Sequence, residues 1–185
     1  MKKLMMIAAM MLMSVGAFAQ DMYIKPMVGG TLTSFRGSDV SDDAKMKLGL
    51  VAGAEFGIDL ANAFTVTAGA LYTMQGSANK HDSDYNEKLD YINIPILANY
   101  YLFPGFAVKA GVQPGFLVRA KCNDVDIKDH FKKFDFAIPL GLSYEFSDFV
   151  IDARYNLSLT KLPDYGDATA YNSVFMLTLG YKIPL

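Results

Sequence analysis

The sequence predicts an all-β protein, an eight-stranded antiparallel up-and-down barrel that spans a membrane. Apolar and polar residues alternate in eight separate stretches, and the connections between them are alternately long and short. The chain is also 52% hydrophobic and only 19% charged, although no stretch after the N-terminus is long and apolar enough for a membrane helix. A chain of this composition can still cross a membrane as a closed barrel, in which every backbone group finds a partner.

The stretch Phe149–Thr160 shows the alternation most clearly. Its odd positions carry apolar side chains, including Ile151 and Leu157, and its even positions carry Asp152, Arg154 and other polar residues. Successive side chains of a strand point to opposite faces. The other seven predicted strands are Ile24–Leu32, Lys47–Asp59, Phe64–Gln75, Asp90–Leu102, Phe106–Arg119, Phe134–Phe146 and Tyr171–Leu185.

The strand lengths match a bilayer. A strand of about 12 residues rises roughly 40 Å. Tilted by about 40°, it covers roughly 30 Å, the thickness of the hydrocarbon core.

The connections indicate which end of the barrel faces which side. Barrels of the outer membrane have short periplasmic turns and longer external loops. The long polar connections are predicted at Ser34–Lys45, Gly76–Lys88, Ala120–Lys132 and Lys161–Ala170, and the tight turns near Leu60–Asn62, Phe103–Gly105 and Ser147–Asp148. The chain is therefore predicted to have four outer loops and three inner turns.

Side-chain volume indicates which face of each strand points outward. The interior of an eight-stranded barrel is only wide enough for side chains to fill. The polar face is rich in glycine, whereas the apolar face carries large side chains at nearly every step, so the polar face is predicted to line the lumen. Arg119 is on that polar face by simple alternation. A soluble lipocalin-like barrel with the opposite orientation is the alternative.

Aromatic residues near the strand ends fit the interfacial girdles of such barrels. These residues are Tyr72, Tyr100, Phe106, Phe134, Tyr144, Phe149, Tyr155 and Tyr181. Four prolines lie inside predicted strands, where each removes a ladder hydrogen bond. Local bulges are therefore expected at Pro26, Pro95, Pro114 and Pro139.

The N-terminus predicts export. Lys2 and Lys3 precede an apolar run, and Ala17-Phe18-Ala19 matches a signal-peptidase site, so residues 1–19 are predicted to be a signal peptide and 20–185 the barrel domain. The residue directly after the cleavage site is Gln20 and not a cysteine, which argues against a lipoprotein. Because Cys122 is the only cysteine, an internal disulfide is excluded, and Cys122 is expected to be an incidental loop residue.

The predicted lumen carries charges of both signs. Buried charges must be paired, so a balanced set in a narrow lumen is expected to form a structural salt-bridge network that plugs it. A path for protons or small ions is the functional alternative. The predicted members are Lys25, Glu55, Asp59, Lys109, Glu145, Asp152, Arg154 and Lys182.

Nothing in the sequence indicates an enzyme, a cofactor or a metal site. No nucleophile–base motif or phosphate loop occurs, and a net charge of −2 gives no electrostatic case for nucleic acid. His130 with Ser83 or Ser38 is the one pairing that a lipid hydrolase could use, and His81 is a further loop histidine. The acidic loop clusters Asp42-Asp43, Asp82/Asp84 and Asp124/Asp126 lack the full calcium-loop pattern and are expected to be solvated.

Several stretches resemble a known family. DYINIPILANYYLF (90–103), KKFDFAIPLGLSYEF (132–146), VIDARYNLSLTKL (150–162) and NSVFMLTLGYKI (172–183) are similar to the PorT-like outer-membrane β-barrels of Bacteroidetes, a "porin family" with an architecture like OmpA and OmpX. The resemblance implies a fold and no active site. Such barrels usually end in an aromatic residue read by the assembly machinery, whereas this chain ends in Leu185.

The sequence thus predicts an integral protein of the Gram-negative outer membrane, without enzymatic activity or cofactor. Its expected role is structural or surface-interacting through the four outer loops. The expected partners are outer-membrane lipid and lipopolysaccharide, the barrel-assembly machinery and an unknown extracellular or envelope protein. A narrow porin for small solutes or ions is the alternative, and a lipid-modifying enzyme of the outer membrane is the weaker one.

Overall fold

The eight predicted strands form one closed antiparallel barrel. The computed structural model describes residues 22–36, 44–61, 63–79, 86–122, 125–126, 132–161 and 171–185. Each strand pairs with its neighbours in sequence, and the first strand pairs with the last, which confirms the predicted fold class. The strands are β1 (Met22–Arg36), β2 (Lys47–Ala61), β3 (Phe64–Asn79), β4 (Asn86–Asn93 and Ile96–Phe103), β5 (Phe106–Cys122), β6 (Phe134–Phe146), β7 (Phe149–Lys161) and β8 (Tyr171–Tyr181, continued by Ile183–Pro184).

The strands are staggered as they close. Following paired residues once around the barrel leads from Met22 back to Leu32, ten residues further along β1. Such a stagger tilts the strands against the barrel axis, typically by about 35–45°. The intermediate partners are Ile58, Val66, Ala98, Ala110, Leu140, Tyr155 and Phe175.

Several predicted loop boundaries are wrong, because the strands continue beyond the alternating sequence, as β1 does to Arg36 and β7 to Lys161. β3 extends to Asn79, β4 begins at Asn86, and β5 extends to Cys122. Cys122 is therefore a strand residue, paired with Glu87 and Val125. Outside the bilayer both faces of a hairpin meet water, so the apolar alternation stops while backbone pairing continues. Short strands at Ala44–Lys45 and Val125–Asp126 extend two of these hairpins.

Two of the three predicted tight turns lie where expected, and the third includes Asn62, which lies outside the described residues. Phe103–Phe106 and Phe146–Phe149 each close a hairpin, and the residues with positive φ are Gly105 (83°) and Ser147 (53°). Glycine adopts such a backbone without steric cost, and a side chain at Gly105 would also lie 2.7 Å from the Glu145 carbonyl oxygen. Both termini of the described barrel are at this same end.

The expected bulges at the prolines are mostly absent. The register is continuous through Pro26, Pro114 and Pro139, and only Pro95 interrupts a strand, dividing β4 without changing which face its side chains occupy. Proline lacks a donor but keeps its acceptor. The carbonyls of Pro95 and Pro114 accept from Gly69 N at 3.0 Å and Ile94 N at 2.8 Å, so the neighbouring strands stay in place.

The apolar faces point outward, as predicted. Leu48, Leu140, Leu177 and similar side chains are exposed, whereas the polar residues of the same strands are buried in the lumen. Aromatic rings contact one another at the turn end, where Phe103 stacks on Phe106 at 4.8 Å, and toward the loop end, where Phe116 meets Phe134 at 5.6 Å. Within the described ranges, no helix is long and apolar enough to cross a membrane.

The adjacent residues Gly29 and Gly30 test how tightly the lumen is packed. A Cβ at Gly29 would lie 2.0 Å from the Leu177 carbonyl oxygen, whereas at Gly30 it would meet only Gly49 O at 3.7 Å. Gly29→Ala is therefore expected to reduce the free energy of unfolding by about 1–3 kcal/mol, the usual cost of overpacking. Gly30→Ala is the matched control and should be near neutral. Urea titration of both variants in lipid vesicles gives the comparison, and equal stabilities would contradict the packing.

Candidate functional site: a charged core in the lumen

Five charged side chains meet inside the barrel, in the half nearer the tight turns. The strand register brings them together, since Lys25 on β1 pairs with Glu55 on β2 and all five occupy lumen-facing positions. None is more than 7% exposed. We call this group the ion core; its members are Lys25, Glu55, Lys109, Asp152 and Arg154.

Arg154 joins the two acids of the ion core. Its Nε donates to Asp152 Oδ1 at 2.6 Å and its Nη2 to Asp152 Oδ2 at 2.9 Å. Its Nη1 donates to Glu55 Oε1. A planar guanidinium can hold two carboxylates in this way because its five donors point in fixed directions.

The two lysines complete the ion core from other strands. Lys25 Nζ lies 2.8 Å from Glu55 Oε2 and 4.0 Å from Asp152 Oδ2. Lys109 donates to Asp152 Oδ2. Asp152 is thus the common partner of all three cations.

A second ion pair lies closer to the tight turns. Lys182 Nζ is 2.6 Å from Glu145 Oε2, and Tyr101 donates its hydroxyl to the other oxygen of Glu145. The ammonium of Lys182 also lies 4.4 Å from the ring centroid of Tyr23. Both charged side chains are 17% exposed, so this pair is more accessible than the ion core.

The eight charged residues named from the sequence therefore occupy three places. Five form the ion core, and Glu145 and Lys182 form the second pair. Asp59 has a separate contact, accepting a hydrogen bond from Thr65 Oγ1 at 2.5 Å.

The lumen also contains apolar layers that the sequence analysis did not identify. One buried cluster lies on the loop side of the ion core and consists of Met27, Val51, Leu71 and Met176. Leu89, Tyr91, Leu117 and Ala120 form another nearer the loop end of the barrel. The strand period places these residues in the lumen, but their apolar side chains do not differ in type from those of the outward face.

Beside these apolar clusters lies a band of amides and hydroxyls. Asn93 donates to Thr73 Oγ1 at 2.7 Å, Gln75 donates to the same oxygen at 2.9 Å, and Asn172 donates to Gln75. Other buried polar atoms have no protein partner, and such atoms usually bind ordered water. They include Oδ1 of Asn99 and Asn156, Oε1 of Gln113, and the hydroxyls of Ser143 and Thr178.

The chemistry of this lumen is that of paired charges. Within the ranges given above, no group of three His, Cys, Asp or Glu side chains could hold a metal ion. The histidines His81 and His130, the serines Ser38 and Ser83, and the acidic residues Asp42, Asp43, Asp82, Asp84 and Asp124 lie outside the described residues. The structure also leaves the side chain of Asp126 undescribed.

Known structures share this architecture. Ail, the attachment invasion locus protein of Yersinia pestis, solved in complex with the heparin analogue sucrose octasulfate, is 19% identical with a TM-score of 0.56, over 90% of this chain and 100% of Ail. Neisserial surface protein A is 15% identical with a TM-score of 0.55, over 88% and 97%. At these identities the likeness shows the fold alone. No curated protein matches the chain.

The sequence itself matches a family model. The model describes an outer membrane protein beta-barrel domain, and the match runs over residues 18–164, most of the chain. The closed eight-stranded barrel, its outward apolar faces and its charged lumen agree with that description. The chain belongs to the outer membrane protein β-barrel domain family.

Proposed function

We propose that this protein is an outer-membrane barrel with a closed lumen, which serves a structural or surface-interaction role through its four outer loops. The ion core carries the proposal, because it joins β1, β2, β5 and β7 across the interior through contacts between fully buried charges. A barrel whose lumen is bridged in this way presents only its outer loops and its lipid-facing surface to partners.

The energetics favour a closed state. Removing a partner from a buried ion pair costs about 3–5 kcal/mol, so moving Arg154 away from Glu55 and Asp152 is expensive. A solute would also have to pass the apolar cluster around Leu71 and Met176. The two obstacles lie at different depths, and a pore requires both to open.

Conductance tests the closed lumen directly. The purified full-length protein, inserted into planar lipid bilayers, is expected to give no stable, reproducible channels. A general porin inserted in the same way provides the positive control, and a folded-state gel shift confirms that the barrel has inserted. Reproducible open channels from the wild-type protein would overturn the proposal.

A narrow pore is the second candidate, and one observation favours it. The unpartnered polar atoms of Asn99, Gln113 and Ser143 line the β4, β5 and β6 side of the lumen, where ordered water is expected. A pore along this side would still have to pass the ion core. If the wild-type protein conducts, loss of that conductance on replacing Gln113 with Leu would favour this route.

The remaining expectations are part of the same proposal. We propose that residues 1–19 direct export, that the barrel-assembly machinery inserts the chain, and that the PorT-like resemblance reflects a closer relationship within the family. The lipid-modifying enzyme is tested by mass spectrometry of lipid A from a deletion strain. An unchanged lipid A profile would count against that activity.

A further inference from the structure

An acidic side chain lies on the lipid-facing side of the barrel. Strand alternation places Asp90 on the same face as Ile92 and Ile94, both exposed, yet Asp90 is only 4% exposed. Tyr72 donates its hydroxyl to Asp90 Oδ2 at 2.7 Å, and Arg119 Nη1 lies 3.5 Å from the same oxygen. The carboxylate is therefore covered by two partners from neighbouring strands.

A bulge places Arg119 on this face. Asp90 pairs with Arg119 and Tyr91 with Leu117, so Val118 is an extra residue on β5. Simple alternation predicts Arg119 in the lumen, and that prediction is wrong because the bulge reverses the parity beyond it. The Arg119 side chain is 58% exposed. More than half of the Arg119 side chain is thus open to its surroundings, while the acid that orients it is shielded.

The position of Arg119 matches the level of lipid headgroups. The backbone pair Asp90–Arg119 comes directly after Tyr72, Ile92 and Phe116 in the direction of the loop end. Aromatic belts mark the boundary between the hydrocarbon and the headgroups. A cation just outside such a belt, on the loop side, meets the phosphates of the outer leaflet. The backbones of Lys88 and Lys121 pair two residues further toward the loop end of β4 and β5.

An apolar pocket adjoins this pair. It has a volume of about 470 Å³, and its lining includes Leu48, Leu50, Met74, Asp90 and Arg119. Leu48 and Leu50 are 77% and 62% exposed, among the most exposed large apolar side chains of the described barrel. A surface with a cation at the headgroup level and bare leucines beside it is complementary to a lipid that carries a phosphate.

We propose that this surface binds one phosphorylated lipid of the outer leaflet. The phosphate accepts hydrogen bonds from the Arg119 guanidinium, and an acyl chain lies along Leu48, Leu50 and Met74. Asp90 is a positioning residue, because its shielded carboxylate holds Arg119, and Tyr72 fixes that carboxylate through its hydroxyl. The inference requires only that the barrel spans the outer membrane, and it holds whether the lumen is closed or conducting.

Native mass spectrometry tests this site. The full-length protein in an uncharged detergent is titrated with diphosphoryl lipid A and with the same lipid after removal of its phosphates. One tight adduct is expected with the phosphorylated form alone. Arg119→Gln should weaken that adduct about tenfold, as expected for a lost charge-assisted hydrogen bond. If Arg119→Gln does not fold, Leu48→Gln replaces it and should weaken the same adduct several-fold.

Lys132→Gln is the matched control. Lys132 is exposed at the same end of the barrel, two residues before the neighbouring strand β6 and outside the pocket, so its loss should leave the adduct unchanged. An equal loss in both variants would show that general positive charge attracts the lipid, and would overturn the site. Equal binding of the phosphate-free lipid, or no adduct at all, would also overturn it, whereas the conductance result leaves it unaffected.

Discussion

Asp152→Asn is expected to reduce the free energy of unfolding by about 3–5 kcal/mol, the usual cost of breaking a buried ion pair. Asp152 is the common partner of Arg154, Lys109 and Lys25. Its neutralisation leaves three buried cations with Glu55 as their only acidic partner in the ion core. Asparagine has nearly the same shape, so the loss reports charge and hydrogen bonding rather than packing.

Urea titration in lipid vesicles measures this loss, with the gel shift between folded and unfolded protein as the signal. Tryptophan fluorescence is not available, because the chain has no tryptophan. Asp148→Asn makes the same chemical change in an exposed turn and should cost less than about 0.5 kcal/mol, as surface changes usually do. A similar small cost for Asp152→Asn would mean that the ion core contributes little to stability.

Leu177→Arg is expected to destabilise the folded barrel by about 2–4 kcal/mol, the cost of a charge on the lipid face near the bilayer midplane. Leu177 points outward from β8 and lies between the aromatic residues Phe175 and Tyr181 along the strand. A soluble barrel with the opposite orientation would place this arginine in an apolar cavity, where the variant would not respond to bilayer thickness.

Ile183→Arg is the depth control for this substitution. Ile183 has the same outward orientation but lies at the turn end of β8, and the cost near an interface falls to about 0–1 kcal/mol. Unfolding in vesicles of short-chain and long-chain lipids gives the comparison. Equal costs for the two variants would contradict the assignment of this face to lipid.

The sequence alone predicts most of this fold, because a membrane barrel repeats one local rule. Period-two alternation in Phe149–Thr160 sets both the strand and its two faces, and the same rule holds in the other seven strands. The loop boundaries were less predictable, since the alternation ends at the headgroups while strands such as β3 continue to Asn79.

The site was predictable in composition but not in arrangement. Parity places Lys25, Glu55 and Asp152 in the lumen, but only the register between strands distant in sequence brings Arg154 to Glu55. Arg119 was placed wrongly because nothing local signals the bulge at Val118. At the prolines the sequence predicts bulges that are mostly absent, because a strand tolerates the missing donor when the proline carbonyl still accepts a hydrogen bond.

Thiol accessibility in the lumen tests the central claim of a closed, charged interior most directly. In a Cys122→Ser background, Ser143→Cys places a thiol beside Asp152 at a site that is 2% exposed, and Ser147→Cys places one in an exposed turn. With a small charged thiosulfonate reagent on reconstituted protein, the closed lumen predicts no modification of Ser143→Cys while Ser147→Cys is fully modified. Modification of both at the same rate would show an open, water-filled lumen and contradict the account.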